Sequence, residues 1–204
     1  MGILSGVLTV RRFRVLGEVP EGFRESYRER LNAYAFREPP NEQGKQEIEG
    51  WAQVHNLLDT DFGDQNRWLY EPYALFALRI DKKVLPARWL RATVDKECER
   101  WCADRNQERC PPPVRAEIRD RVEQEWLRRI LPQVRVAEVS WNMQEGFAVV
   151  QSLSEATLER VRRRFYQTFG LRLVPWSPLD WMEDLGTVEA LVTATPAVLN
   201  LEAK

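Results

Sequence analysis

Proline positions constrain this chain more than any other feature. Pro86 precedes "ARWLRATVDKECERWCADRN", three consecutive prolines stand at 111–113, and Pro132 ends the next apolar-periodic run. Proline lacks a backbone donor and clashes inside a helix, so these positions predict two helices rather than one. Leu90, Val94, Cys98 and Trp101 fall on one stripe through about Asn106, where "ERCPPPV" stops the pattern. A second helix begins near Val114 and carries Ile118, Val122, Trp126 and Ile130 until Pro132. Two helices of roughly 20 residues, each about 30 Å long, joined by a short proline link, favour an antiparallel hairpin that projects from the remainder.

The flanking segments supply that remainder. "GVLTVRRFRVLG" is rich in β-branched residues and ends at Gly17, as a strand does, and "PEGFRESYRERLNAYAF" spaces Phe23, Tyr27, Leu31 and Tyr34 at helical intervals. "REPPNEQGKQ" is a polar loop, "EGWAQV" a short strand, "DTDFGDQN" a turn-rich stretch, and the second half of "RWLYEPYALFALRI" a strand. After the hairpin, "VRVAEVSWN" and "GFAVVQSL" read as strands around a "MQEG" turn. Ser154 then serves as N-cap and Gly170 as C-cap of "EATLERVRRRFYQTF", before the strand "LRLVPW". Strand, strand, helix, strand resembles part of a split βαβ layer. The expected class is α+β, with mixed or antiparallel sheet layers, packed helices and a projecting hairpin. The expected divisions are 1–85, the hairpin at 86–132, and 133–204, forming one intimate, two-lobed unit.

Composition narrows the function. With 204 residues and 44% hydrophobic content the chain can bury a real core. Its 30 basic side chains meet 31 acidic ones, so global charge gives no push toward nucleic acid and any polyanion site must come from local clustering. No stretch reaches the roughly 18 apolar residues of a membrane span, the start "MGILSGVLTVRRF" does not fit a signal peptide, and three cysteines suit a reducing compartment. The expectation is a soluble cytoplasmic protein.

Three constellations invite a chemical reading, and each has a plainer one. His55 is the only histidine, and no nucleophile turn accompanies it. Cys98 and Cys102 lie one helical turn apart with Cys110 beyond, a spacing open to zinc, but no fourth ligand is evident and cysteine on an apolar stripe packs as a small hydrophobe. Asp59, Asp61 and Asp64 could hold a hard cation, whereas the neighbouring Gly63, Gln65 and Asn66 make an ordinary turn. No phosphate-cradling glycine loop occurs. The expectation is no catalytic residue, no metal and no cofactor.

The basic residues carry more. On the helix from Glu155 to Phe169, the 100° step gathers Leu158, Val161, Phe165 and Phe169, and sends Arg160, Arg163, Arg164 and Gln167 to the opposite, solvent side. The strand-to-helix corner "RIDKKVLPARWLRATVDKE" adds Lys82, Lys83, Arg88 and Arg91, although Arg91 is placed to pair with Asp95 at i+4. Two readings fit these seven cations: a solvated face, or a surface that tracks phosphates.

The runs "LRIDKKVLPARWLRATVDKECERW", "VRAEIRDRVEQEWLRRILPQV", "GFAVVQSLSEATLERVRRRF" and "LRLVPWSP" together resemble the RdgC family of bacterial recombination-associated proteins over about residues 70 to 178. In that family a lysine-bearing strand precedes an "LP" helix start, a charged hairpin closes on a second "LP", and a strand leads through serine to a helix and a "VP" strand. The resemblance implies sequence-independent binding of DNA, double-stranded in the family's best-known form, a homodimer closing as a ring around it, restraint of recombinase filaments, a nucleoid location and no catalysis. Lys82, Lys83, Arg88, Arg91, Arg160, Arg163 and Arg164 would then contact phosphate. Two departures limit the carry-over: only "LDWMEDLGTVEALVTATPAVLNLEAK" follows the "VP" strand, so ring closure is not implied, and the link between "ILP" and "VSWNMQEGF" is short. The alternative is a protein-interaction or assembly module that keeps the fold without binding DNA. A metal-dependent nuclease using the three aspartates ranks third.

Overall fold

The computed structural model describes residues 2–4, 8–38 and 47–177, with positions 187, 189, 190 and 193 beyond them. In chain order the elements are β1 (Arg11–Leu16), α1 (Phe23–Ala33), β2 (Glu47–Ala52), β3 (Leu69–Tyr70), β4 (Tyr73–Lys82), α2 (Ala87–Arg105), α3 (Pro112–Arg129), β5 (Gln133–Asn142), β6 (Phe147–Val150), α4 (Glu155–Phe169) and β7 (Arg172–Pro175). All seven strands join one antiparallel sheet in the order β2-β4-β5-β6-β1-β7, with the short β3 also on β4. The fold is α+β, as the alternation of strand and helix patterns predicts. The parts before and after the hairpin share this sheet. Part of the polar loop, at 39–46, and most of the chain from 178 onward lie outside the described residues.

Period-two alternation decides which side chains meet the helices. Phe76, Leu78 and Ile80 of β4 stand beside Val139 and Ala137 of β5, and register places Trp141, Ala148, Val150, Phe13 and Leu173 on the same face. Tyr27 and Leu31 of α1 and Leu158, Val161, Phe165 and Phe169 of α4 cover that face and complete the main core. The rings of Trp141 and Phe165 meet edge-on at 5.1 Å, and those of Phe165 and Phe169 lie 4.7 Å apart. Each large side chain removed from water in this way stabilises the fold by about 1.5–3 kcal/mol.

The other face of β4 is also buried, and by an ion pair. Arg79 and Asp81 sit two residues apart on one side of the strand, with guanidinium-to-carboxylate bonds of 2.8 and 2.6 Å. The Arg79 guanidinium lies 4.1 Å over the Phe36 ring and donates to the Leu57 carbonyl. Phe36 arrives there because the chain after α1 runs beside β2: the Phe36 amide donates to the Trp51 carbonyl and the Trp51 amide to the Tyr34 carbonyl. Gly50 permits this approach. A Cβ there would overlap the Phe36 backbone and come within 2.8 Å of the Ala35 carbonyl carbon.

α2 and α3 form the predicted antiparallel pair and hold a second apolar cluster of Leu90, Val94, Cys98, Ile118 and Val122. Asn106 ends α2 in the left-handed region at φ 49°. α3 begins two residues earlier than its periodicity suggests, since Pro112 and Pro113 occupy first-turn positions whose amides need no partner. Leu127, rather than Trp126, is the buried residue of its last turn. Ser154 does hold the N-cap position of α4, but its side chain makes no capping bond. Among the described residues, no helix is long and apolar enough to cross a membrane.

Candidate functional site

Strand β2 places Glu47, Glu49 and Trp51 on the side of the sheet where α4 lies. The Trp51 indole N–H donates to the Thr168 hydroxyl at 2.8 Å, and that hydroxyl donates to the Arg164 carbonyl, fixing the helix against the strand. On α4, Arg160, Arg163 and Arg164 are spaced to reach one point, and the point is Glu49. Its carboxylate accepts from Arg160 at 3.1 Å, Arg163 at 2.9 Å and Arg164 at 3.0 Å. Burial alone would raise the Glu49 carboxyl, whose side chain is 12% exposed, but the three guanidinium groups outweigh it and hold it below the usual value. Arg160 is raised for the mirror reason: burial opposes its charge, and hydrogen bonds to Glu47 and Glu49 prevail.

These three arginines were expected to point into solvent, and the structure corrects this. A helical wheel gives direction but not reach. A guanidinium on a long stem folds back toward a carboxylate that the wheel does not contain, here on a strand more than a hundred residues earlier in the chain. Only Arg163 keeps a largely exposed side chain, at 57%, while Arg164 retains 18% and stands 5.7 Å from the Tyr34 ring.

The corner at the end of β4 joins this cluster through a second carboxylate. Lys82 pairs with Glu47 at 3.5 Å, and Glu47 also pairs with Arg160. The two basic patches therefore do meet, in a chain of alternating signs. Lys83 turns the other way: its ammonium donates to the Leu127 carbonyl, one of the last carbonyls of α3 that the helix cannot satisfy itself. Arg88 and Arg91 are exposed, and among the described residues neither has a carboxylate partner. Asp95, the sequence candidate for Arg91, pairs with Arg115 of α3 instead.

Two features of the hairpin went unread in the sequence. Leu90, Val94 and Ala116 floor a groove of about 590 Å³ between α2 and α3, rimmed by Arg91, Arg115 and Arg119. Nearby, Trp89 is 71% exposed and Leu131 87% exposed, at the first turn of α2 and just past the end of α3. Trp89 lies one position off the Leu90–Val94–Cys98 stripe, and that offset was the available signal. The groove had none, because it depends on how the two helices cross.

The remaining candidates resolve into structure. Asp61 and Asp64 each accept an amide two residues on, at 2.8 Å from Gly63 and 3.0 Å from Asn66, and Asp59 bonds Arg67 at 2.6 Å and the Asp61 amide at 3.1 Å. These are turn contacts. Among the described residues no group of three histidine, cysteine or carboxylate side chains is arranged to hold a metal ion. Cys98 is buried in the hairpin cluster; Cys102 and Cys110 are half-buried. Desolvation, then the neighbouring Cys98 thiol, pushes the Cys110 thiol up to about 11, so it stays protonated at neutral pH. His55 is exposed. Compared with models of known protein families and with curated proteins, the chain matches none, and the likeness to the RdgC family rests on the sequence runs quoted above.

Proposed function

We propose that the chain is a protein-interaction and assembly module rather than a DNA-coating protein. The observation that carries this reading is the fate of the seven cations: Lys82, Arg160, Arg163 and Arg164 are tied to Glu47 or Glu49, and Lys83 to a helix-end carbonyl. Of the seven, only Arg88 and Arg91 have no such partner among the described residues. Affinity for a nucleic-acid backbone comes from cations that neutralise phosphates and release counterions, and a guanidinium already held by a half-buried carboxylate has its charge offset before any phosphate arrives. The hairpin is mixed: Arg121 pairs with Glu97 at 3.1 Å and Arg119 with Glu123 at 2.8 Å, whereas among the described residues Lys96, Arg105, Arg109 and Arg128 are exposed without a carboxylate partner. The module offers partners an apolar groove and exposed Trp89, with no catalytic step.

DNA binding, with restraint of recombinase filaments by occupying their DNA, stands as the second reading. Arg88 and Arg91, on the same first turns of α2 as the exposed Trp89, favour it. Fluorescence anisotropy of unrelated duplexes against the full chain at several salt concentrations separates the two. Two unpaired cations allow a slope of log K on log[salt] of about −1.8, whereas all seven would give about −6. We expect no binding, or weak binding with the shallow slope. A steep slope for every duplex, abolished by Lys82→Glu with Lys83→Glu at unchanged melting temperature, would reinstate the DNA reading.

A further inference from the structure

The thiols of the hairpin come together where the chain reverses. Asn106 turns the backbone at the end of α2, and the Gln107 amide donates to the Cys102 carbonyl at 3.0 Å, so the link runs back along the helix it has left. That return carries Cys110 onto the hairpin cluster, against which it packs as Trp101 and Val114 do. Cys98 is a member of the cluster and only 5% exposed. Arg115, whose amide bonds the Pro111 carbonyl directly after Cys110, lays its guanidinium 3.9 Å from the Cys98 sulfur. After desolvation, a hydrogen bond to the Cys98 side chain is the next cause of the raised Cys110 thiol, ahead of the charges at Cys98 and Cys102 and against the opposing charge of Arg115. Cys98 and Cys102 themselves are poorly placed to join. Both stand on α2, where Cβ atoms one turn apart are about 5–6 Å from each other, and a disulfide spans roughly 3.5–4.5 Å. Cys110 belongs to a separate segment and escapes that limit.

We propose that Cys98 and Cys110 form a reversible dithiol–disulfide pair that locks the returning link onto α2 and stiffens the hairpin. Pro112 and Arg115, which line the groove between α2 and α3, follow closely on Cys110, so the state of the pair sets how freely that groove opens. The inference holds whether the hairpin meets a protein or DNA. The oxidant is a small disulfide such as oxidised glutathione. Cys110, the less buried of the two, loses its proton and its sulfur attacks one sulfur of the oxidant, whose S–S bond breaks; the other half leaves and takes up a proton. Cys98 then loses its proton, attacks the Cys110 sulfur and expels the second half as a thiol. One S–S bond is exchanged for another, the protein is oxidised by two electrons, and the small disulfide is reduced to two thiols. Because the Cys110 thiol holds its proton at neutral pH, closure is slow there and quickens as pH rises.

The full chain, incubated with excess oxidised glutathione at neutral pH and near pH 9, then capped at its free thiols, denatured and digested with trypsin, reads the bond directly. Arg100, Arg105 and Arg109 leave each cysteine on its own peptide, 97–100, 101–105 and 110–115. We expect 97–100 linked to 110–115, 101–105 capped, and closure faster on the order of tenfold or more at the higher pH. Closing the pair removes entropy from the opened hairpin, so hydrogen exchange of α2 and α3 amides should slow on the order of a hundredfold, and a reductant should restore it. Cys102→Ser should leave the bond and the added protection intact, and Cys110→Ser should abolish both. The wild-type peptide map stands whether or not a variant folds. A link to 101–105 in place of 97–100, glutathione adducts that never resolve, bonds only between chains, or a closed pair that leaves hairpin exchange unchanged each overturns the proposal.

Discussion

Glu49 shows what a single carboxylate can organise. Three guanidinium groups converge on it from one helix, so its ionised form is part of the fold. Glu49→Gln keeps the shape and removes the charge, and should cost about 1–3 kcal/mol at neutral pH, less than a fully buried pair because Arg163 can turn to water. Its carboxyl sits below the ordinary value of 4.5. The stabilisation is accordingly complete above about pH 4.5 and is lost as pH falls through the lower folded-state value. Denaturant melts of wild type and Glu49→Gln should differ at pH 7 and draw together as pH falls below 4.5; a gap that stays constant as the solution is acidified would assign the effect to packing. Asp81→Asn should cost more, about 3–5 kcal/mol, since it leaves Arg79, 8% exposed, with the Leu57 carbonyl and only the distant Glu38 carboxylate at 4.0 Å. The Glu49 pairing was not legible from spacing, whereas Arg79 and Asp81 stand two apart on a strand and so share a face. The wheel put the arginines on the polar side of α4, correctly, but their partner belongs to a different element, and long-range pairs leave no mark in local periodicity.

At the scale of elements the sequence was more informative, because proline, glycine and apolar spacing act locally. Pro86, Pro111 and Pro132 bounded the two hairpin helices, and Gly170, at φ 73°, ended α4 where expected. The two-residue error at the start of α3 came from treating proline purely as a terminator, when it is equally at home in a first turn. Gly50 is the element-scale residue that was not recognised. Gly50→Ala forces Cβ into the backbone of 35–36, which cannot yield as a side chain would. We expect a loss of about 1–3 kcal/mol, the usual range for overpacking. Because Phe36 would be driven from the Arg79 guanidinium, the same variant should weaken the Arg79–Asp81 site. A double-mutant cycle of Gly50→Ala with Asp81→Asn should therefore be non-additive; strict additivity would mean that the 34–36 segment and the ion pair are independent.

For the whole molecule the decisive fact is that the described residues form two apolar clusters, a large one between sheet and helices and a small one inside the hairpin. The smaller buries five residues, so it should open at lower free energy than the sheet. Native-state hydrogen exchange should find α2 and α3 amides less protected than those of β4 and β5, and equal protection would mean a single cooperative unit. The α+β class and the hairpin were readable because they follow from element order. The site was not, since whether a cation is available or already engaged depends on tertiary pairing. The contacts of the acidic turn and the thiols depend on context in the same way: Asp61 and Asp64 cap amides two residues away, and Cys98 packs beside Leu90 and Val94.

Lys82 and Gln133 are paired neighbours at one end of the sheet, although the chain between them makes the entire hairpin. This has a kinetic consequence. Closing a flexible loop of roughly fifty residues, rather than about six, costs about 2 kcal/mol more in chain entropy. If α2 and α3 dock first, their ends already lie together and β4 can zip onto β5 as though joined by a short turn. Leu90→Ala and Val122→Ala should then slow refolding in proportion to the stability they remove, with φ-values near 0.5–0.8. If stopped-flow traces instead show unchanged refolding and faster unfolding, the sheet assembles first and the hairpin is its last addition.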